Sequence, residues 1–370
     1  MDQPGSAAVA PDRRFPCMQC GAKLEFAPGT DVLRCEHCGF ENPIARPADP
    51  VEELDFHAQL SAVANQQETV DAPLVKCSAC AAEITRPPNA TAMHCPFCGS
   101  SIVTQGISKQ TIKPRSLLPF KVTRQQAVEL FRKWIGGLWF APGGLKEYAR
   151  GETKIDGLYM PAWTYDCDTT SQYSGSRGDY YWVTQTYTTV ENGKTVTRTR
   201  QVRHTRWTSA SGTVRRAFDD LLVLASKSLP PKYAHQLEPW DLGELVPYVD
   251  DYLSGFLAER YQVDLDAGFV EAQAMMKEPI HADVCADIGG DEQRVDTIST
   301  QYHRVTFKHL LLPVWISAYR YHHRIFRFLV NARTGEVQGE RPWSAAKITL
   351  AVLTGLAVIA AAIVLVNRYQ

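Results

Sequence analysis

The sequence predicts an α+β protein with a duplicated cysteine-rich module near its N-terminus and one membrane-spanning helix at its C-terminus. Three observations lead to this prediction. Eight of the ten cysteines form two identical quartets within the first hundred residues. Between residues 106 and 346, strand-like and helical segments occur in separate groups, which is typical of a mixed α+β domain. The stretch 348–366 contains no charged side chain.

Length and net charge by themselves exclude few classes of fold or function. The 370 residues suffice for two or three domains. A formal net charge of −1 provides no global electrostatic attraction to nucleic acid. Residues 1–14 lack the apolar core of a secretory signal, so we expect a disordered leader there.

Each cysteine quartet has the pattern C-x2-C-x14-C-x2-C, and the second quartet is the first displaced by 60 residues. Such a repeat indicates duplication of one small module. Two cysteines two residues apart on a tight turn direct their sulfurs to one point, and a second turn completes a tetrahedron. The spacing therefore predicts two zinc ribbons, at residues 15–44 and 74–105, joined by a linker over 45–73.

Both predicted sites are structural, because four thiolates leave no coordination position open for water. We expect two Zn²⁺ ions, each bound by four cysteines. The predicted ligands are Cys17, Cys20, Cys35, Cys38, Cys77, Cys80, Cys95 and Cys98. Gly21, Gly39 and Gly99 follow the second cysteine of three turns, where a left-handed conformation is often required, and Ala81 occupies the fourth. The segments "KLEF" and "EIT" predict short strands between the turns.

Two alternatives explain the cysteines less well. A disulfide framework needs an oxidising compartment, and the chain begins without a secretory signal. A redox CxxC motif occurs singly at the start of a helix, whereas these motifs occur in pairs. His37 and His94 lie beside the quartets, and we interpret both as exposed residues that bind no metal.

Zinc ribbons often bind nucleic acid through a basic face, which these modules lack. Residues 12–46 carry five basic and five acidic side chains, and residues 74–105 carry two basic side chains and one acidic one. Phosphate binding needs a clear excess of positive charge. Docking to a protein is therefore the favoured function of the ribbons.

The linker and the first part of the following domain each predict one helix. Val51 to Asn65 has apolar residues at helical spacing between proline-rich ends. The segment after Thr123 has a capping box, with Gln126 three residues later, and an apolar face that includes Phe131. We assign no chemistry to either helix.

Residues 155–225 predict strands, and within them the segment 180–207 predicts a β-hairpin whose turn is Asn192–Gly193. Alternation on its second strand places three arginines on one face and Arg203 on the other. The three are Arg198, Arg200 and Arg206. Either the hairpin is simply solvated, or it contacts anionic lipid headgroups or an acidic patch on a partner.

Residues 240–288 predict a helical insertion, and strands return over 293–340 with a turn at Asn331–Gly335. We find no phosphate-binding loop, no dinucleotide fingerprint and no serine- or zinc-hydrolase motif. Cys167 and Cys285 are interpreted as small buried hydrophobic residues. Asp219–Asp220 fits either a metal pair or, preferably, a cap at a strand edge.

The C-terminal segment 347–370 predicts a membrane anchor. Nineteen uncharged residues, 348–366, form a helix of about 28 Å, close to the ~30 Å hydrocarbon thickness of a bilayer. The alternative is a buried core helix, which rarely lacks a polar face over such a length. Arg341 and Lys347 precede the span and Arg368 follows it, so the charge bias favours a body on the cytoplasmic side of the cell membrane.

Together with the paired cysteine modules, three blocks resemble a bacterial family of zinc-ribbon membrane proteins. The blocks are "GLYMPAWTYDCDT", "RWTSASGTVRRAFDDLLVLAS" and "LLPVWISAYRYHHRIFRFLVNARTGEVQGERPWS". Members of that family are often labelled as similar to primosomal protein N′ (replication factor Y) or as containing a TFIIB-type zinc ribbon. The helicase activity in the first label requires a phosphate-binding loop, which is missing here. The resemblance implies a membrane adaptor that recruits cytoplasmic partners, including proteins of the stomatin-like and phage-shock type.

The expected function is that of a non-enzymatic, tail-anchored adaptor. Two structural zinc ribbons would dock a cytoplasmic or membrane-associated protein, and residues 348–366 would lie in the lipid bilayer. The alternative is a replication-related nucleic-acid-binding protein without helicase activity. A third possibility is a hydrolase or transferase whose site in residues 107–345 matches no motif that we searched.

Overall fold

The computed structural model describes residues 16–45, 50–64, 69–85, 92–103, 107–142, 155–191, 194–229, 232–233, 236–321, 324–340 and 343–369. The predicted leader 1–14 and the predicted turn Asn192–Gly193 lie outside these residues. The helices are α1 (Phe56–Ala64), α2 (Arg124–Gly137), α3 (Leu265–Ile288) and α4 (Ala345–Tyr369). Antiparallel sheets dominate the rest, which confirms the mixed α+β class.

The strands of the described residues fall into four sheets. They are β1 (Leu24–Phe26), β2 (Val32–Cys35), β3 (Glu41–Pro43), β4 (Leu54–Asp55), β5 (Thr69–Lys76), β6 (Glu83–Thr85), β7 (Ala92–His94), β8 (Ser101–Val103), β9 (Ile107–Ile112), β10 (Ser116–Leu117), β11 (Asp156–Glu191), β12 (Lys194–Leu224), β13 (Val246–Pro247), β14 (Leu257–Ala258), β15 (Glu292–Tyr321), β16 (Arg324–Asn331) and β17 (Val337–Gly339). The strands β1 and β6 confirm the two short strands predicted between the cysteine turns.

Three very long strands organise the molecule. The strand β11 has 36 residues, β12 has 31 and β15 has 30, and they pair antiparallel in the order β12–β11–β15. We call residues 156–165 of β11, with the strands beside them, the base. Residues 167–178 with the neighbouring parts of β12 and β15 form the stalk. Beyond Gly178 only β11 and β12 continue, and residues 179–191 and 194–206 form the arm.

The base is buried on both faces, which explains the apolar run over residues 157–163. Side chains of alternate residues point to opposite faces of a strand. On β11, Leu158 and Met160 belong to one apolar cluster, and Tyr159 belongs to another. The strand β15 alternates in the same way, with Leu310 and Leu312 in the first cluster and Leu311 in the second. Each apolar cluster also includes residues of one cysteine module, so the base lies between the two modules.

Helix α3 covers one face of the stalk. Its buried side chains recur every three or four residues, which gives an apolar stripe along the helix. The stripe consists of Leu265, Phe269, Ala272, Met276, Ile280, Val284 and Ile288. Near the start of the helix, the hydroxyl of Tyr165 donates to the carbonyl oxygen of Leu265 at 2.7 Å. Near its end, the hydroxyl of Tyr173 donates to the Asp287 carboxylate at 2.5 Å.

The helical insertion is confirmed only in its second half. The predicted helix in residues 240–262 is wrong, since this segment forms two 3-10 turns and the two-residue strands β13 and β14. Pro247 has no backbone N–H to donate to a helix. Gly255 has a φ of +90°, a conformation that interrupts a right-handed helix.

Three other predicted elements are present. Helix α2 begins after Thr123 with the complete capping box to Gln126. The linker helix exists as α1, which is shorter than predicted. The strands β16 and β17 flank the turn at Asn331–Gly335, where Gly335 has a φ of +82°.

Helix α4 is long and apolar enough to cross a membrane. Within its apolar segment Ala345–Val366, the most apolar stretch of 18 residues has a mean hydropathy of 2.7 and is not buried within the molecule. This exposure argues against the alternative of a buried core helix.

Candidate metal centres

The first four-cysteine cluster is built from two tight turns around the hairpin β1–β2. The N–H of Gly21 donates to the Cys17 carbonyl oxygen at 2.8 Å, and the N–H of Gly39 donates to the Cys35 carbonyl oxygen at 2.9 Å. These turns direct the four sulfurs toward one point. The Sγ atoms of Cys17 and Cys38 are 3.6 Å apart, and those of Cys20 and Cys35 are 3.5 Å apart.

The second cluster repeats this geometry. The Sγ atoms of Cys77 and Cys98 are 3.6 Å apart, as are those of Cys80 and Cys95. Four sulfurs at a metal–sulfur distance of about 2.3 Å in a tetrahedron lie ~3.8 Å from one another. A disulfide would bring two sulfurs to about 2.05 Å. Both clusters therefore can hold a metal ion, and neither contains a disulfide.

The residue after the second cysteine of each turn is left-handed, as predicted. Gly21, Gly39 and Gly99 have φ between 70° and 74°. At the fourth position, Ala81 has a φ of 61° and adopts the same conformation although it carries a Cβ atom. Its N–H donates to the Cys77 carbonyl oxygen at 2.8 Å, so the turn is complete despite the strain.

We expect Ala81→Gly to stabilise the protein. A left-handed conformation costs an L-residue about 1–2 kcal/mol, and glycine avoids this cost. Glycine also gives the unfolded chain more conformational freedom, which reduces the gain in stability by ~0.4–1 kcal/mol. The expected net gain is roughly 0.5–1 kcal/mol, measured as the urea midpoint of the full chain. Ala82→Gly at the neighbouring buried position is the control and should destabilise. A lower midpoint for Ala81→Gly would contradict the strained-turn interpretation.

The two clusters differ in their exposure to solvent. In the first, Cys20 and Cys38 are exposed. In the second, Cys77, Cys95 and Cys98 are buried and Cys80 is partly so. Burial raises the pKa of the Cys95 thiol, so its sulfur stays protonated unless a cation is bound beside it.

This difference predicts that a chelator removes metal in two steps. The exposed first cluster should release its metal quickly, whereas the second must first open locally. Each ~1.4 kcal/mol of free energy needed for this local opening slows the release of metal about tenfold. A colorimetric chelator assay on the full chain would resolve the two phases, and Cys20→Ser should abolish the fast one. A single phase releasing both ions would contradict the predicted difference.

The first module packs directly against the base. The Phe26 N–H donates to the Ser254 carbonyl oxygen at 3.0 Å, and the Ser254 hydroxyl donates to the Leu24 carbonyl oxygen at 2.6 Å. The Phe26 and Tyr252 rings meet edge to face at 5.1 Å. In the same module, Met18 is 84% exposed and Phe40 is 40% exposed.

The second module packs on the other face of the base. The Thr85 hydroxyl donates to the Ala258 carbonyl oxygen at 2.9 Å, and Arg260 and Glu83 form an ion pair at 3.2 Å. The Nε of Arg327 donates to the Phe97 carbonyl oxygen at 2.6 Å, within the cysteine turn itself. Both modules are thus integral to the core of the molecule.

The predicted Asp219–Asp220 pair lies beside a buried lysine at the junction of base and stalk. Lys308 is 7% exposed, and its Nζ lies 2.8 Å from Asp220 and 2.9 Å from Glu53. A third carboxylate, Asp166, lies 3.6 Å away. Burial alone would lower the pKa of Lys308, but hydrogen bonds to Asp220 and Glu53 raise it. Ligand atoms of Glu53, Asp166 and Asp219 also lie close enough together to hold a metal ion, although the Lys308 ammonium already supplies positive charge to Glu53 and Asp166.

Cys167 and Cys285 belong to neither four-cysteine cluster. Cys167 is buried, as predicted, and its sulfur lies 3.7 Å from that of Met276. The prediction for Cys285 is wrong, because it is partly exposed on α3 beside His281. His37 and His94 are exposed, as predicted. Burial lowers the pKa of His309, which the sequence did not single out, to about 4.

The start of helix α4 is fixed to the body by hydrogen bonds. The Ser344 N–H donates to the Phe140 carbonyl oxygen at 2.8 Å, and the Lys347 ammonium donates to the Ala141 carbonyl oxygen at 2.7 Å. Trp139 is 78% exposed and Trp343 is 57% exposed beside this junction. Exposed tryptophans next to an apolar helix are typical of a membrane–water interface.

Comparison with known proteins finds a distant relative. The chain is 25% identical over 252 residues to YdjG of Bacillus subtilis (strain 168), a protein described as uncharacterized, and the match covers 68% of this chain and 70% of YdjG. A match of this length exceeds the cysteine-rich region and therefore includes part of the body. No protein-family model matches the chain. No solved structure matches it either.

Proposed function

We propose that this protein is a non-enzymatic membrane adaptor, anchored by α4, that uses its first zinc ribbon to dock a protein partner. The two four-cysteine clusters would each bind Zn²⁺, which suits a tetrahedral set of four thiolates. The second ribbon would serve the fold alone, because its cysteines are almost entirely enclosed by the base. The first ribbon would serve both the fold and the partner.

The exposed outer surface of the first module carries this proposal. Met18 and Phe40 are exposed apolar side chains next to the exposed ligands Cys20 and Cys38. Methionine and aromatic side chains are enriched in protein interfaces. The metal would hold both turns rigidly, so that docking would cost little conformational entropy.

The junction of α4 supports membrane attachment of the body. Trp139 and Trp343 would lie among the lipid headgroups, with Lys347 at the start of the span. The bias in basic residues places the body on the cytoplasmic side in this proposal. The hydrogen bonds from Ser344 and Lys347 would hold the first ribbon at a defined distance from the bilayer.

A second candidate function is nucleic-acid binding through the arm. Residues 179–206 carry five basic and two acidic side chains, and two-stranded ribbons do enter DNA grooves. However, Arg203 lies over the Tyr180 ring at 4.2 Å, and Arg206 lies over the Tyr181 ring at 5.6 Å. These cation–π contacts give the arginines a role in stiffening the arm, which makes protein docking the preferred function.

The test places a photo-crosslinking amino acid at Met18 in the full-length membrane-bound chain. Val270, which is 64% exposed on α3 away from the ribbon, is the matched control position. We expect a defined protein adduct from position 18 that is absent from position 270, resists nuclease, and disappears with Phe40→Asp. Adducts that nuclease removes, or equal adducts at both positions, would contradict the proposal. Binding that falls steeply with salt would instead favour the nucleic-acid alternative.

A further inference from the structure

The arm presents a strand edge that no other described strand covers. Along the stalk, β11 lies between β12 and β15, but β15 pairs with β11 only as far as Gly178. Beyond that point, β11 and β12 remain paired from Asp179–Arg206 to Glu191–Lys194. At about 3.3 Å per residue, this two-stranded part is roughly 40 Å long. Because a two-stranded ribbon is only marginally stable in water by itself, an additional strand would stabilise the arm beyond its attachment to the stalk.

The hydrogen-bonding direction of the exposed edge follows from its first residues. The Gly178 carbonyl oxygen accepts from the Asp291 N–H at 2.8 Å, and the Tyr180 N–H donates to the Asp291 carboxylate at 2.6 Å. Even-numbered residues of β11 therefore direct their backbone groups away from β12. Because the pattern has a period of two, Trp182, Thr184, Thr186, Thr188 and Val190 present unpaired N–H and C=O groups outward.

The two edges of the arm differ in their protection against pairing. Natural edge strands avoid association by means of charges, prolines or bulges. The strand β12 has four arginines between residues 198 and 206, whereas β11 has no charge and no proline between Tyr180 and Val190. The register within the arm also contains no bulge. The β11 edge is therefore open to another strand, and the β12 edge is not.

We propose that the β11 edge of the arm pairs with the same edge of a second copy of this chain, antiparallel about a two-fold axis at Thr186. This register would place Trp182, which is 62% exposed, opposite Val190 of the second copy, which is 68% exposed here. Thr184 would lie opposite Thr188 of the second copy. Aromatic–β-branched and threonine–threonine pairs are favourable across antiparallel strands. The result is a four-stranded sheet with the arginine-bearing strands outermost.

The sequence of this edge favours a second copy over a foreign strand. All five outward-directed residues find a complementary residue within the same segment, and the pairing leaves no charge between the strands. A two-fold axis also makes the interface closed, so the association stops at a dimer. This inference does not rest on the proposed adaptor function, because it concerns a different surface.

The first test uses proline to block one edge at a time in the full-length chain in detergent. Thr186→Pro removes an outward N–H from the β11 edge without removing a β11–β12 hydrogen bond. Thr199→Pro is the matched control, since Thr199 lies directly opposite Thr186 and presents its N–H at the other edge. Density-matched analytical ultracentrifugation should show a dimer for the wild type and Thr199→Pro, and a monomer for Thr186→Pro. A wild-type monomer, or a dimer that persists in Thr186→Pro, would overturn the proposal.

The second test does not depend on a proline-containing strand. In a Cys285→Ser background, Thr186→Cys should form an intermolecular disulfide, since residues in a hydrogen-bonded antiparallel pair have Cα atoms about 5.5 Å apart. Thr199→Cys should remain monomeric on a non-reducing gel. Equal crosslinking of both variants, its absence from Thr186→Cys, or a bond from position 186 to a different protein would overturn the second-copy assignment.

Discussion

Replacing Cys95 by serine is expected to unfold the base of the molecule. Cys95 is 1% exposed, and its cluster shares one apolar core with Leu158 and Leu310 of the long strands. Zinc contributes about 10–16 kcal/mol of apparent binding free energy to small structural modules. With three ligands left, we expect a loss of roughly 5 kcal/mol or more in the free energy of unfolding.

The measurement is the urea midpoint of the full chain, followed by tryptophan fluorescence, together with its metal content. Trp163 is buried on β11, so its emission reports on the central sheet. Cys285→Ser is the matched control, because Cys285 belongs to neither cluster. It should change the midpoint little and retain both ions. A Cys95→Ser variant with an unchanged midpoint would contradict the claim that the second cluster stabilises the fold.

Replacing Lys308 by methionine is expected to cost about 2–3 kcal/mol, less than the ~3–5 kcal/mol typical of breaking a fully buried ion pair, because Glu53 and Asp220 are partly exposed. Methionine has a similar volume, so the loss arises mainly from the carboxylates left without a cation. The control is Lys227→Met at an exposed position, where we expect little change. Adding Asp166→Asn to Lys308→Met should recover part of the lost stability, because it removes one of the unpaired charges.

The pH dependence of the Lys308 variant has a defined sign. Burial raises the pKa of Asp166 from 3.8 to about 6 in the folded protein. The folded state therefore binds this proton more tightly than the unfolded state, and stability falls as the pH rises from about 4 to 6. The positive charge of Lys308 limits this rise in the pKa of Asp166. In Lys308→Met the pKa of Asp166 is therefore higher, and the loss of stability continues to a higher pH. Urea midpoints at pH 5 and pH 7.5 should show the larger destabilisation at pH 7.5, and an equal loss at both would contradict the network.

Local patterns predicted most of the metal-site geometry. The repeated spacing identified all eight cysteines that the structure brings together in two clusters. Gly21, Gly39 and Gly99 predicted three left-handed turns, and Ala81, which departs from the glycine pattern, adopts the same conformation. Such features depend on residues close in sequence, which is why a single sequence reveals them. The capping box at Thr123 was predictable for the same reason.

The long-range arrangement could not be predicted in this way. No local pattern indicates that the modules lie on opposite faces of the base, because this depends on contacts such as that of Phe26 with Ser254. Lys308 gave no local signal, since its partners Glu53 and Asp220 come from distant segments. The pairing of β15 with β11 stops at Gly178, and this point likewise depends on strand register, which the composition of β15 does not specify.

Native mass spectrometry of the full-length chain, released gently from membranes, tests the central claim most directly. The account predicts two zinc ions per chain, together with eight cluster thiols that react with alkylating agents only after a chelator has removed the metal. Loss of one ion in Cys20→Ser and of the other in Cys95→Ser would assign them to their clusters. A metal-free chain containing disulfides among these cysteines would contradict the account.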